Sequence, residues 1–302
     1  MELNEKFIDG VWSSRIDVSD FVYRNITPYT GDASFLCGPT ERTKKLWDKC
    51  LAAMEEERQN NGVRSIDAKT ISTITSHKAG YIDRENEIIV GLQTDELLKR
   101  AIKPFGGWRV VERACNQNGV ELDPKVKEIF THYRKSHNDG VFDVYTEEIL
   151  KFRSLGFLTG LPDNYSRGRI IGDYRRLALY GADRIIEAKK EDLRNLTGPM
   201  TEDRIRLREE VAEQIRALNE IKVLGEYYGL ELGRPAYDAR EAVQWVYMAY
   251  LAAVKEQDGA AMSLGSVSSF LDIYIEYDLN HGIIDECHAQ ELIDQFVLKL
   301  RM

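Results

Sequence analysis

"DNYSRGRIIGDYRRLALYGADR" (residues 163–184) sets five arginines, Arg167, Arg169, Arg175, Arg176 and Arg184, into a chain whose formal net charge is −9. Its second half has a helical period. Ile171, Tyr174, Ala178, Ile185 and Ile186 form one apolar stripe, and Thr197-Gly198-Pro199 ends the pattern, so the spacing predicts a helix over 171–196. On that helix Arg175, Arg176 and Arg184 read as solvated or salt-bridged face residues. Arg167 and Arg169 stand differently, flanking Gly168 at the helix entry. A guanidinium there can be aimed at a carboxylate or phosphate, helped by the unpaired N–H groups of a helix start. The residues alone leave both readings open, an anion ligand or a solvated cation.

Downstream, the pattern predicts a long helix from about Glu202 to Tyr228, with Val211, Ile215, Leu218 and Leu224 buried. Glu202/Arg206 and Glu213/Arg216 pair on its wet side. Asp238 and Glu241 form a capping box for a helix that is apolar nearly all round from Ala242 to Val254, hence buried on most sides. "DGAAMSLGS" (258–266) suits a short strand or a tight loop at a cavity wall. A last helix over 285–301 places Ala289, Leu292, Ile293, Phe296, Val297 and Leu300 on one face. Upstream, residues 1–40 read as irregular and a helix begins near Glu41. Thr94 caps a helix over "DELLKRAI" (95–102), which "PFGG" stops, and Asp123-Pro124 opens another through "KVKEIFTHYRKSH".

Composition bounds the function. The chain has 302 residues, with 43% hydrophobic and 30% charged content, as in soluble globular proteins. Net acidity argues against a nucleic-acid or anionic-membrane partner. The longest apolar run, "VYMAYLAAV" (246–254), is far short of the roughly 20 residues of a membrane span. Cys37, Cys50, Cys115 and Cys287 are scattered, with no CxxC and no zinc spacing to any histidine, so no metal site is expected and the cysteines read as free thiols of a reducing cytoplasm. His77 reads as a structural histidine. No GxxxxGK[ST], GxGxxG or GxSxG motif occurs.

Several long stretches, in order and in register, carry a resemblance. "TITSHKAGYID", "IVGLQTDELLKRAIKPFGG", "SHNDGVFDVYT", "LTGLPDNYSRGRIIGDYRRLALYG" and "GAAMSLGSVSSFLDIYIEYDL" are similar to the N-terminal part of pyruvate formate-lyase (formate acetyltransferase), a glycyl-radical enzyme family. The resemblance spans roughly residues 20–302. It implies an α/β fold, the helix-rich N-terminal part of a ten-stranded glycyl-radical-enzyme barrel, about one half-barrel with its surrounding helices. It also implies a cytoplasmic enzyme of anaerobic glucose metabolism that converts pyruvate and coenzyme A to acetyl-CoA and formate. In that family a glycyl radical passes to a cysteine, an adjacent cysteine carries the acetyl group, and a radical S-adenosylmethionine activating enzyme installs the radical. The full-length enzyme is a homodimer.

By the same resemblance Arg169 matches the arginine that pairs with the substrate carboxylate, and Ala260 and Ala261 match small residues lining the pyruvate cavity. Ser166 and Ser266 stand where the family commonly has Gly and Arg, which keeps 2-ketobutyrate open as an alternative substrate. Neither an adjacent Cys-Cys pair nor an "RVSGY"-type glycyl loop occurs. Residues 1–302 are therefore expected to be the N-terminal portion of the domain, truncated before both. No catalytic residue and no bound cofactor are expected in this chain, leaving it inactive alone, or a non-catalytic folding or interaction fragment.

Overall fold

The computed structural model describes residues 6–103, 108–129, 132, 145–159, 170–256 and 262–302. In chain order the elements are α1 (Val11–Ser14), α2 (Val18–Asn25), a 3-10 turn (Ala33–Phe35), α3 (Glu41–Gln59), β1 (Ser65–Ile71), β2 (Lys99–Ile102), α4 (Trp108–Gln117), α5 (Pro124–Glu128), α6 (Glu147–Ser154), β3 (Ile170–Ile171), α7 (Arg175–Asn195), α8 (Glu202–Tyr227), α9 (Ala239–Glu256), β4 (Met262–Ser263), α10 (Val267–Asn280) and α11 (Glu286–Arg301).

The core is built round α9. Its apolar circumference lets it pack against α7, α8, α10 and α11 together. Val243, Trp245, Val246, Tyr247, Met248 and Leu251 are all buried, each stabilising the fold by about 1.5–3 kcal/mol. The expected cap is present, Asp238 Oδ1 accepting from the Glu241 N–H at 2.8 Å. The buried Asp278 of α10 takes the Ala239 N–H at 2.7 Å, so both donors are satisfied where water is excluded.

The same helices do a second task that the apolar pattern conceals. Residues 86–93 run between α9 and α11 without a strand partner, and their backbone groups are met by buried side chains. Gln295 accepts from Ile88 N–H at 2.8 Å and donates to Asn86 O. Gln244 both accepts from and donates to Val90. Tyr247 and Lys299 donate to Gly91 O, and Lys255 to Gln93 O. A buried loop requires such partners for each peptide group.

Lys255 gives a pH test of this arrangement. Burial pushes its amine down to about 8. Below that pH the group is charged in both states. Between pH 8 and the ordinary lysine value the unfolded chain binds more protons, so stability rises with pH in this window. Relative to Lys255→Met, the parent is expected to gain on the order of 3 kcal/mol between pH 7 and 10. Urea melts of both proteins at pH 7, 8.5 and 10 check this, and a constant difference would contradict it.

The helix expected over 171–196 starts later, at Arg175, because Ile170 and Ile171 pair in parallel with Met262 and Ser263. It is also broken at Gly181 (φ 68°, ψ 161°). The long α8 keeps its expected ion pairs, Glu202–Arg206 at 2.6 Å and Glu213–Arg216 at 2.7 Å. Val211 and Leu224 are buried while Ile215 and Leu218 are half-buried.

Four further expectations are corrected. Residues 99–102 are a strand, paired in parallel with β1 from Ser65↔Lys99 onward. Thr94 does not cap a helix; its hydroxyl reaches Glu96 O and Lys99 O, and Leu98 takes a positive φ of 58° that turns the chain into β2. Within the first 40 residues α1 and α2 form, because Asp17 caps α2 and the Tyr180 hydroxyl accepts from Asp17 N–H and donates to Trp12 O. The cysteines are not all free. Cys37 and Cys287 are joined in a disulfide, and Cys50 and Cys115 are buried thiols. On α11 the apolar face is narrower than its pattern, with Val297 58% exposed and Gln295, Leu298 and Lys299 buried instead. The helix opened by Asp123-Pro124 begins as expected; residues 130–131 and 133–144 lie outside the described residues.

Candidate functional site

Arg169, Ala260 and Ala261 lie outside the described residues. Ile170, which follows Arg169, and Met262, which follows Ala261, are described. Arg169 directly precedes β3 and Ala261 directly precedes β4, and these two strands are neighbours in one parallel pair, with Ile170 opposite Met262 and Ile171 opposite Ser263. Parallel strands enter a sheet from the same end. Ile170 and Met262, far apart in the sequence, thus begin neighbouring strands at one end of the pair.

Arg167 also lies outside the described residues, while the three arginines on the helix, Arg175, Arg176 and Arg184, have structural partners, as their helical positions imply. Arg175 holds Asp173 with two nitrogens, at 2.7 and 3.2 Å, and its third reaches Ser266 O at 3.3 Å. It therefore ties the start of α7 to the turn that follows β4. Arg176 lies 3.7 Å from the same Asp173 and is half exposed. Arg184 donates to Ser13 O at 2.6 Å across the Tyr180 ring. The Arg175 contacts thus brace the segments that follow β3 and β4 against each other.

Two features near this edge escaped the sequence reading. Tyr174 was visible there only as part of an apolar stripe. Its ring packs edge-on against Tyr250 at 5.5 Å, and its buried hydroxyl lacks a hydrogen-bond partner among the described residues. Asp173 is the anchor for both adjacent arginines, which no motif announces.

His77 is held on both sides, its Nδ1 2.8 Å from Ser76 Oγ and its Nε2 3.2 Å from Asp67 Oδ2. Burial lowers its pKa, and Asp67 opposes that shift. Among the described residues no group of three or more His, Cys, Asp or Glu side chains could hold a metal ion, and no helix is long and apolar enough to cross a membrane.

A family model described as pyruvate formate lyase-like matches residues 11–302. The chain belongs to that family. The formate acetyltransferase of Haemophilus influenzae is 54% identical over all of this chain and 41% of its own length. Two solved structures share the fold at low identity. The glycerol-bound B12-independent glycerol dehydratase of Clostridium butyricum superposes with a TM-score of 0.63 at 19% identity, covering 89% of this chain and 40% of its own. The hydroxyproline dehydratase of Clostridioides difficile, with trans-4-hydroxy-L-proline bound, gives a TM-score of 0.60 at 16% identity, covering 87% of this chain and 40% of its own. The chain spans about two fifths of the length of these relatives. Its fold is that of the helix-rich N-terminal part of a glycyl-radical-enzyme barrel, with short parallel strands among the helices.

Proposed function

We propose that residues 1–302 form the N-terminal portion of a cytoplasmic formate C-acetyltransferase, which converts pyruvate and coenzyme A to acetyl-CoA and formate. The observation that carries this reading is the 54% identity to a formate acetyltransferase along the whole chain. The glycyl radical, installed by a radical S-adenosylmethionine activating enzyme on a part of the protein that this sequence does not contain, supplies the one-electron chemistry. The completed enzyme is a homodimer. The role of this chain is to bind and orient the keto acid. Arg169 holds the substrate carboxylate through two parallel N–H donors, and the small Ala260 and Ala261 leave room for the substrate carbon skeleton and keep water out. Parallel pairing of β3 with β4, braced by the Arg175 bridge from Asp173 to Ser266 O, supports the joint placement of both motifs.

Two measurements test the proposal. The purified 302-residue chain, given activating enzyme and S-adenosylmethionine under anaerobic conditions, is expected to release no formate, whereas the same chain extended by an adjacent Cys-Cys pair region and glycyl loop is expected to do so. Formate above background from the short chain, or none from the extended one, would defeat it. In the extended enzyme Arg169→Lys is expected to lower kcat/KM about ten- to a hundredfold, since a charged hydrogen bond contributes about 1.5–3 kcal/mol and lysine lacks the planar fork. Arg176→Lys, with one long contact to Asp173, is the mild control. With radical content matched by spectroscopy, equal losses in the two variants would mean that the carboxylate ligand lies elsewhere.

A further inference from the structure

We infer that the Cys37–Cys287 pair is a thiol–disulfide exchange site, open to a small dithiol, whose state decides how firmly the exposed segment 27–37 is held to the start of α11. The two residues are 250 apart in sequence, with Cα atoms 5.4 Å apart. Both are exposed, and so is every residue from Thr27 to Cys37. The other two cysteines are 0% and 3% exposed, and burial pushes the Cys50 thiol up to about 11. Exchange chemistry follows exposure and thiolate character, so it is confined to the bonded pair.

The surroundings favour reversible opening. The Cys37 and Gly38 N–H groups both donate to Gln290 Oε1, at 2.8 and 3.2 Å, and Thr40 Oγ1 donates to Glu291 Oε1 at 2.5 Å. These contacts need no sulfur. They keep the crossing in register after the S–S bond opens, so re-closure needs no long search. Cys287 also lines a cavity of about 510 Å³ beside Thr40, Arg42 and His288, which gives a reagent room to approach.

The exchange balances as follows. One thiolate of the dithiol attacks Cys287 Sγ from the cavity. The S–S bond breaks, and Cys37 leaves as a thiolate that takes up a proton. The second thiol of the reagent then attacks the mixed disulfide and expels Cys287 as a thiolate, and the reagent departs as its own disulfide. Two electrons pass to the protein. Cys287 is the second residue of a 16-residue helix, where the positive end of the helix dipole favours the thiolate.

The test uses the 302-residue chain equilibrated with graded ratios of reduced and oxidised dithiothreitol, then labelled natively with a maleimide and mapped by mass spectrometry. Cys37 and Cys287 are expected to become labelled together in one two-electron transition, with Cys50 and Cys115 unlabelled. On reduction, chymotryptic cleavage at Tyr29, Phe35 and Leu36 is expected to accelerate roughly tenfold, and Tm to fall by about 5 °C or more, since a long closed loop is released. Cys37→Ser is expected to behave as the reduced parent at every ratio. The inference is overturned if both thiols are labelled in fully oxidising buffer, if they open in separate transitions, or if cleavage and Tm ignore the reagent.

Discussion

Gly181→Ala is expected to destabilise the 302-residue chain by about 4 kcal/mol or more. Two independent costs combine. The backbone at φ 68° and ψ 161° lies in a region essentially reserved for glycine, and forcing a side chain there costs about 1–3 kcal/mol. An added Cβ would also sit 2.4 Å from both the Arg234 carbonyl carbon and Gly233 O. These are backbone atoms and cannot swing aside. Nor can the 232–236 segment withdraw freely. Ala182 N–H donates to Leu232 O, Asp183 N–H to Gly233 O, and Ala236 N–H to Ala178 O, at 2.8 to 3.0 Å. The break in α7 is thus stitched to a neighbouring strand of chain, which replaces the hydrogen bonds that the helix loses. Gly119→Ala is the control. Gly119 also has a positive φ of 64°, but nothing lies within 4 Å of an added Cβ, so only the backbone term remains. Urea unfolding of both variants separates the contributions, and a loss below about 1 kcal/mol at Gly181 would refute the clash.

The same glycine shows where sequence reading stops. The stripe Ala178, Ile185 and Ile186 is buried as its period implies, yet the helix carrying it is broken in the middle. A glycine inside a periodic pattern costs only about 1 kcal/mol, so the pattern passes over it. Local signals were legible wherever a side chain acts on its own neighbours: Asp238 on Glu241, Asp123 ahead of Pro124, Glu202 on Arg206. Residues 95–102 carried equally good local helix signals and form a turn and a strand, because β1, far upstream, supplies the pairing. The disulfide joins residues that nothing local relates. At the candidate site the residues left Arg169 between anion ligand and solvated cation. The roles proposed for Arg169, Ala260 and Ala261 rest on the family resemblance. The adjacency of β3 and β4 is a product of topology.

The buried ion pair of Glu87 and Lys299 illustrates the hardest class of all, polar groups placed inside for the backbone's sake. Lys299→Met is expected to cost about 3–5 kcal/mol. The Nζ–Oε2 distance is 2.7 Å, and the two side chains are 1% and 0% exposed. Burial holds the Lys299 ammonium below the ordinary lysine range even with Glu87 beside it, so the pair is weakly favoured as a pair. Its importance lies in what each member otherwise serves. Glu87 Oε1 accepts from the Ile82 and Asp83 N–H groups, and Lys299 also donates to Gly91 O. Removing the lysine strands a carboxylate that cannot be moved without orphaning two amides. The double variant Glu87→Gln with Lys299→Met keeps an acceptor for those amides and carries no charge. It is expected to recover about 2 kcal/mol of the single variant's loss, a coupling within the range for residues in one network. Denaturant melts of the parent, both single variants and the double variant complete the cycle. If Lys299→Met loses less than about 1 kcal/mol, or if the double variant is no more stable than Lys299→Met alone, the pair is not what fixes residues 87–91 between α9 and α11.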